Sequence, residues 1–140
     1  MSATETGSAA ETEALAAGLA DDLQPGDVVL VSGDLGAGKT TFVRGAARAL
    51  GVSLPVTSPT FTIARRYEDG RLPVSHLDLF RLDGLDDEEP DLLADELGGD
   101  RVGFVEWPEH GALDLGDFTV AARVHLEHLG GDRRRVIIET

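Results

Sequence analysis

The sequence predicts an α/β fold: a single domain with a central, mainly parallel sheet that carries antiparallel additions and is flanked by helices. Three observations predict it. Residues 28–32 (VVLVS) form a short, β-branched apolar run, the pattern of a strand buried on both faces of a parallel sheet. A glycine-rich loop follows at once and opens a stretch of helical period. A second apolar run, residues 102–105 (VGFV), ends in an acid at Glu106, as a further buried strand would.

In chain order, residues 1–8 are rich in Ser, Thr, Ala and Glu and read as a flexible tail, leaving residues 9–140 as the domain. Leu15, Leu19 and Leu23 lie four apart in an Ala-rich stretch, which predicts a helix over 9–23 that Pro25 and Gly26 stop. From Lys39, the residues Phe42, Val43, Ala46, Ala47 and Leu50 keep a helical period, with Gly51 in the position that ends a helix. Residues 57–61 (TSPTF) read as an irregular connector. Residues 62–68 and 72–79 read as a hairpin turning at Asp69 and Gly70. Nine of the eighteen residues 83–100 are acidic and none is basic, yet Leu92, Leu93 and Leu97 predict a short solvated helix after Pro90. Residues 118–126 and 134–138 close the chain as a pair of strands.

Composition narrows the function. A chain of 140 residues with 41% apolar content can bury one core, and no apolar run approaches the roughly 18 residues of a membrane span. Residues 1–10 show no secretory pattern, so a cytoplasmic location is expected. The net charge of −14 opposes direct contact with a phosphate backbone. With no cysteine, thiolate metal sites, disulfides and thiol catalysis are excluded. Among twelve basic residues the single lysine is Lys39, and the chain contains no asparagine.

Residues 33–40 (GDLGAGKT) match G-x-x-x-x-G-K-[ST], placed between a buried strand and a helix as a phosphate-binding loop must be. The glycines let the loop curl so that its N–H groups converge on phosphate oxygens, and the helix N-terminus adds positive potential. Asp34, Leu35, Gly36, Ala37, Gly38, Lys39, Thr40 and Thr41 would therefore hold a nucleotide, with Lys39 on the β- and γ-phosphates and Thr40 on Mg2+. Such a P-loop NTPase needs a carboxylate at the end of a neighbouring strand. Glu106 and Asp78 both qualify, to hold the metal directly or through water. His76, a lone strand histidine, reads as packing. Trp107 and Pro108 either cover the site or cap the core. Thr60 and Thr62 lie where these enzymes place a phosphate-sensing segment, although a plain turn explains them equally. Arg65, Arg66 and Arg81 are candidates for a charge-stabilising arginine.

Four stretches together resemble one family, the bacterial tRNA threonylcarbamoyladenosine biosynthesis ATPases (TsaE, formerly YjeE). They are GDLGAGKTTFVRG (33–45), SPTFT (58–62), HLDLFRL (76–82) and EWPE (106–109), in the family's order and spacing. The resemblance implies a Mg2+-dependent ATP hydrolase. Lys39, Asp78 and Glu106 would be its catalytic residues, Thr40 and Glu106 its metal ligands, and Ser58, Thr60 and Thr62 its switch-like segment. Thr12 would contact the nucleotide from the adenine side and Trp107 would lie beside it. Phe61 and Phe80 stand where many members have Tyr, and Pro90 interrupts a stretch usually helical. The resemblance further implies that the protein acts on tRNA indirectly, through a two-protein threonylcarbamoyltransferase complex of the TsaB and TsaD type, supporting its turnover.

Two other readings stay open on the residues alone. A small-molecule kinase would share the loop but require an arginine-bearing lid, for which no insertion is long enough. A nucleotide-holding module would use the acidic 83–100 face for docking. A GTPase is excluded, because its N-K-x-D base-recognition motif requires asparagine.

Overall fold

The computed structural model describes residues 2–34, 36–57, 64–79, 95–108 and 118–140. A seven-stranded sheet carries the fold. Its strands are β1 (Ser2–Thr6), β2 (Asp27–Gly33), β3 (Ala64–Tyr67), β4 (Val74–Asp78), β5 (Val102–Glu106), β6 (Thr119–Gly130) and β7 (Arg133–Glu139). Two helices, α1 (Ala9–Ala20) and α2 (Lys39–Ala49), complete the described elements. The strand order is β1-β7-β6-β2-β5-β4-β3. The four central strands, β6, β2, β5 and β4, run parallel, and β3 at one edge and β7 and β1 at the other are antiparallel. The expected mainly parallel sheet with antiparallel additions is the one observed.

Strand alternation divides the core into two layers. Val29 and Val31 of β2, Val102 and Phe104 of β5, and Val124 and Leu126 of β6 pack on the side of α1 and α2. Val28 and Leu30 of β2, Leu77 of β4 and Val105 of β5 face the other way, toward Leu97 and Leu79. The central strand β2 is buried along nearly its whole length, as its unbroken apolar run requires.

The two helices cross closely because α2 carries a glycine where they meet. A Cβ on Gly45 would overlap the backbone of Glu13 on α1. Glycine in a helix interior costs about 1 kcal/mol against alanine, so the close approach is what this residue supplies. At the start of α1, the Ser8 side chain accepts from the Glu11 amide at 3.2 Å, and Glu11 accepts from the Gly7 amide at 3.1 Å. The pair is a variant of the capping box and anchors the helix at Ala9.

Three expectations are corrected. Residues 1–8 are not simply a flexible tail: Ser2–Thr6 pairs antiparallel with β7, from Ser2 opposite Ile138 to Thr6 opposite Arg134. The alternating threonines Thr4 and Thr6 suit such an edge strand, and Thr6 is bound by its hydroxyl to Thr12 of α1 at 2.7 Å. The first helix ends at Ala20 rather than Leu23, because the Asp27 carboxylate accepts the Gln24 amide at 2.8 Å and closes a turn ahead of β2. The connection between β3 and β4 runs from 68 to 73, longer than the tight Asp69–Gly70 turn. The helix anticipated after Pro90 lies largely outside the described residues, as do Phe61, Phe80 and Arg81.

Candidate functional site

The chain reaches β4 from β2 by way of α2, and β5 then fills the place between the two strands. In sheets wound this way, ligands bind outside the carboxyl ends of the parallel strands. Here those ends are aligned: Val31 of β2 lies opposite Glu106 of β5, and Glu106 opposite Asp78 of β4. The loop 34–38 leaves β2 from that row.

Gly33 is the first constraint on the loop. Its φ of 144° and the proximity of the Leu126 carbonyl oxygen, which a Cβ would strike, leave glycine as the residue that fits. Gly36 and Gly38 follow with φ of 76° and 95°, and Gly38 caps α2 in the left-handed region without a side-chain bond. The turn is closed by the Ala37 amide donating to the Asp34 carbonyl at 3.0 Å. Lys39 folds back over it: its ammonium donates to the carbonyls of Gly33 at 2.8 Å and Asp34 at 2.7 Å. It also lies 4.2 Å from the centre of the Trp107 ring. This lysine is 5% exposed, so the one compact ammonium of the chain is held inside the loop.

Trp107 takes φ = 56°, the one described non-glycine residue with positive φ. An L residue there costs on the order of 1–2 kcal/mol. The bend begins with the Trp107 amide donating to the Val31 carbonyl at 3.1 Å. That bond fastens the end of β5 to β2 and sets the ring beside Lys39.

Thr40, on the first turn of α2, donates its hydroxyl toward Glu106, 3.0 Å from Oε2 and 3.2 Å from Oε1. Glu106 is 2% exposed, and its Oε2 also bonds to Nε2 of the fully buried His76. A carboxylate can be held in such a place because donors surround it. Asp78 neighbours Glu106 through the sheet register, and the Leu79 amide donates to the Glu106 carbonyl at 3.0 Å.

Across the loop, a small pocket of about 60 Å3 is lined by Ala9, Thr12, Gly38, Thr41, Asp132 and Arg134. Thr12 is buried there by its bond to Thr6. Arg134 reaches into the β6–β7 turn, donating to the carbonyls of Gly131 at 2.8 Å and Arg133 at 2.9 Å.

The structure thus brings Lys39, Thr40, Glu106 and Trp107 into one cluster with Asp78 beside it. Asp34, Gly36, Ala37 and Gly38 form the loop, and Thr12 and Thr41 lie on its far side. Leu35, Ser58, Thr60 and Thr62 lie outside the described residues. Arg65 donates to Thr57 at 2.7 Å and Arg66 binds Glu96 at 2.6 Å, so these two are engaged at the surface. The Glu96 carboxylate, by hydrogen bond and then by charge, raises the Arg66 pKa above its ordinary value.

Sequence reasoning took His76 for a packing residue and gave Arg134 no role beyond its strand. For Arg134 a signal existed: in RRRVII, strand alternation places the middle arginine on the face of Val136 and Ile138, toward the loop. For His76 the signal was its place at the head of HLDLFRL, two residues before Asp78.

The oxygen set is suited to magnesium. A hydroxyl and one carboxylate can share a small hard cation whose other positions are filled by phosphate and water. Among the described residues no group of three or more His, Asp or Glu forms a fuller cage, and no helix is long and apolar enough to cross a membrane.

Comparison with known proteins places these features in context. The family model "Threonylcarbamoyl adenosine biosynthesis protein TsaE" matches residues 6–136. Proteins described as "tRNA threonylcarbamoyladenosine biosynthesis protein TsaE" are similar. That of Bacillus subtilis is 50% identical over 98 residues, 69% of this chain and 60% of its own length. That of Treponema pallidum is 40% identical over 117 residues, 83% and 84% of the two chains. The chain therefore spans less than two thirds of the B. subtilis protein's length. The crystal structure of B. subtilis YdiB superposes with a TM-score of 0.75 at 35% identity, covering 96% of this chain and 82% of that one.

Proposed function

Because the chain belongs to the TsaE family of threonylcarbamoyl adenosine biosynthesis proteins, we propose that it is a Mg2+-dependent ATPase serving tRNA threonylcarbamoyladenosine formation. The observation that carries this reading is the cluster at the strand ends: Lys39 held in the glycine loop, and Thr40 against Glu106 one strand away. Lys39 binds the β- and γ-phosphates. Thr40 and Glu106 hold Mg2+, which when bound neutralises phosphate charge as the terminal bond breaks. Asp78, next in the strand row, orients the attacking water. Trp107 shields Lys39 from solvent and strengthens its pull on the phosphates. Thr12, Thr41 and Arg134 border the nucleotide on the opposite side of the loop. The absence of asparagine favours ATP over GTP.

The net charge of −14 supports an indirect role toward tRNA, with the protein acting on a two-protein transferase complex of the TsaB and TsaD type in the cytoplasm. The test is ATP hydrolysis by the chain alone, then with those partners and tRNA, following threonylcarbamoyl incorporation in the same reactions. Slow hydrolysis that the partners stimulate, coupled to repeated tRNA modification, is the expected result. Hydrolysis or phosphate transfer indifferent to the partners would instead favour a small-molecule kinase.

A further inference from the structure

His76 is fully buried, and phosphate chemistry gives it no direct task. It lies on β4 opposite Phe104, and its nearest polar partner is the diagonal neighbour Glu106 on β5. The two oxygens of Glu106 are unequally engaged. Oε2 takes both His76 Nε2 and the Thr40 hydroxyl at 3.0 Å, whereas among the described contacts Oε1 takes only the Thr40 hydroxyl at 3.2 Å.

The other ring nitrogen of His76, Nδ1, is buried without a hydrogen-bond partner. Against a carboxylate, which can only accept, Nε2 is the donor of this bond, while Nδ1 makes none. A side chain that merely filled space here would leave no polar atom orphaned. The orphan is the cost of aiming an N–H at Oε2.

We propose that His76 is a positioning residue that holds Oε2 of Glu106, so that the carboxylate offers the cation Oε1 alone and the site prefers Mg2+ to Ca2+. The inference rests on the Mg-ATP reading of the site. Its physical basis is the difference between the ions. Mg2+ takes single oxygens in a tight octahedron, whereas Ca2+ is larger and readily takes both oxygens of one carboxylate. A carboxylate pinned through one oxygen penalises the second mode. Partners that orient a metal ligand typically change metal affinity by about 10–100-fold when removed.

The test uses the full chain and its only tryptophan, Trp107, as a fluorescent reporter of ADP binding in Mg2+, in Ca2+ and in EDTA. His76→Leu keeps the volume and removes the N–H; His76→Gln keeps an N–H at similar reach. For wild type and His76→Gln, Mg2+ should support ADP binding at much lower concentration than Ca2+. In His76→Leu the ratio of the two midpoints should shrink by about tenfold, with binding in EDTA within twofold of wild type.

An unchanged ratio in His76→Leu, or equal losses with and without metal, would overturn the positioning role alone. Wild-type binding indifferent to any metal would overturn the Mg-ATP reading and this inference with it. Should neither variant fold, the 15N spectrum of the wild-type ring decides: a hydrogen on Nε2 is expected, and one on Nδ1 with Nε2 bare overturns the proposal.

Discussion

The two faces of the sheet are built differently. Among the described residues, 21 buried apolar ones form one cluster with α1 and α2 on the helix side, and six form the cluster on the opposite side. Toward β6 and β7 that second face mixes apolar and polar side chains. Leu30, Ser32, Pro108, Arg123, Val124, His125, Ile137 and Glu139 line an open cleft of about 440 Å3 there. The helix face works through the ends of its strands, where apolar alternation turns polar: Val102, Phe104, Glu106 on β5 and Val74, His76, Asp78 on β4. Three strands deliver their last inward residue to one row, and the packing behind them fixes where each carboxylate points.

If this division holds, changes on the helix face should dominate every measurement. The largest effect belongs to Lys39→Ala. It removes the only ammonium held in the loop, and ATP hydrolysis should fall by about 10²–10³-fold, checked by steady-state phosphate release at saturating Mg2+. Gly45→Ala comes next. Its Cβ would enter the backbone of Glu13, and the helices must part or shift, at about 1–3 kcal/mol. Urea denaturation would report it as a lower midpoint. An unchanged midpoint would mean that the helix pair adjusts freely and that the face is less tightly built than described.

Much of the helix face was legible in the sequence, because its signals are local. The unbroken VVLVS run, the glycine loop and the period of Phe42, Val43, Ala46 and Leu50 each need only neighbouring residues to be read. Glu106 was legible because it ends an apolar run. What escaped depends on partners distant in the chain. β1 exists because β7, more than a hundred residues later, supplies its hydrogen bonds. His76 escaped because a buried histidine looks the same in sequence whether it packs or holds a carboxylate thirty positions away. Arg134 was hidden in a run of three arginines whose faces only the strand register distinguishes.

The contact between β1 and α1 sharpens the comparison at a smaller scale. Thr6 and Thr12 share a buried hydroxyl bond of 2.7 Å at the rim of the helix face. Thr12→Val removes one partner and strands the other, at about 1 kcal/mol, read as a lower thermal midpoint. On the open face Arg135 makes long ion pairs to Glu5 at 3.7 Å and to Glu127 at 3.9 Å, all three side chains being at least 40% exposed. Solvent screens such pairs, so Arg135→Ala should cost less than about 0.5 kcal/mol and the difference should vanish in high salt. A larger loss from Arg135 than from Thr12 would invert the proposed hierarchy of the two faces.

The smallest effect lies where the helix face meets solvent. Beyond α2, Ser53 clasps Asp69 in the β3–β4 connection, its hydroxyl donating at 2.7 Å and its amide at 2.9 Å. The hydroxyl first, and the amide second, hold the Asp69 carboxyl below its ordinary value of 3.8. Since the folded value is the lower one, the clasp favours the folded chain fully above pH 3.8 and loses its effect as the pH falls through the folded value. Ser53→Ala removes the hydroxyl but leaves the amide, so the Asp69 midpoint should move part of the way back toward 3.8 in an NMR titration. Stability near neutral pH should hardly change, because the group is fully exposed. A midpoint unmoved by the substitution would assign the shift to the amide alone and leave the hydroxyl without an electrostatic role at this edge.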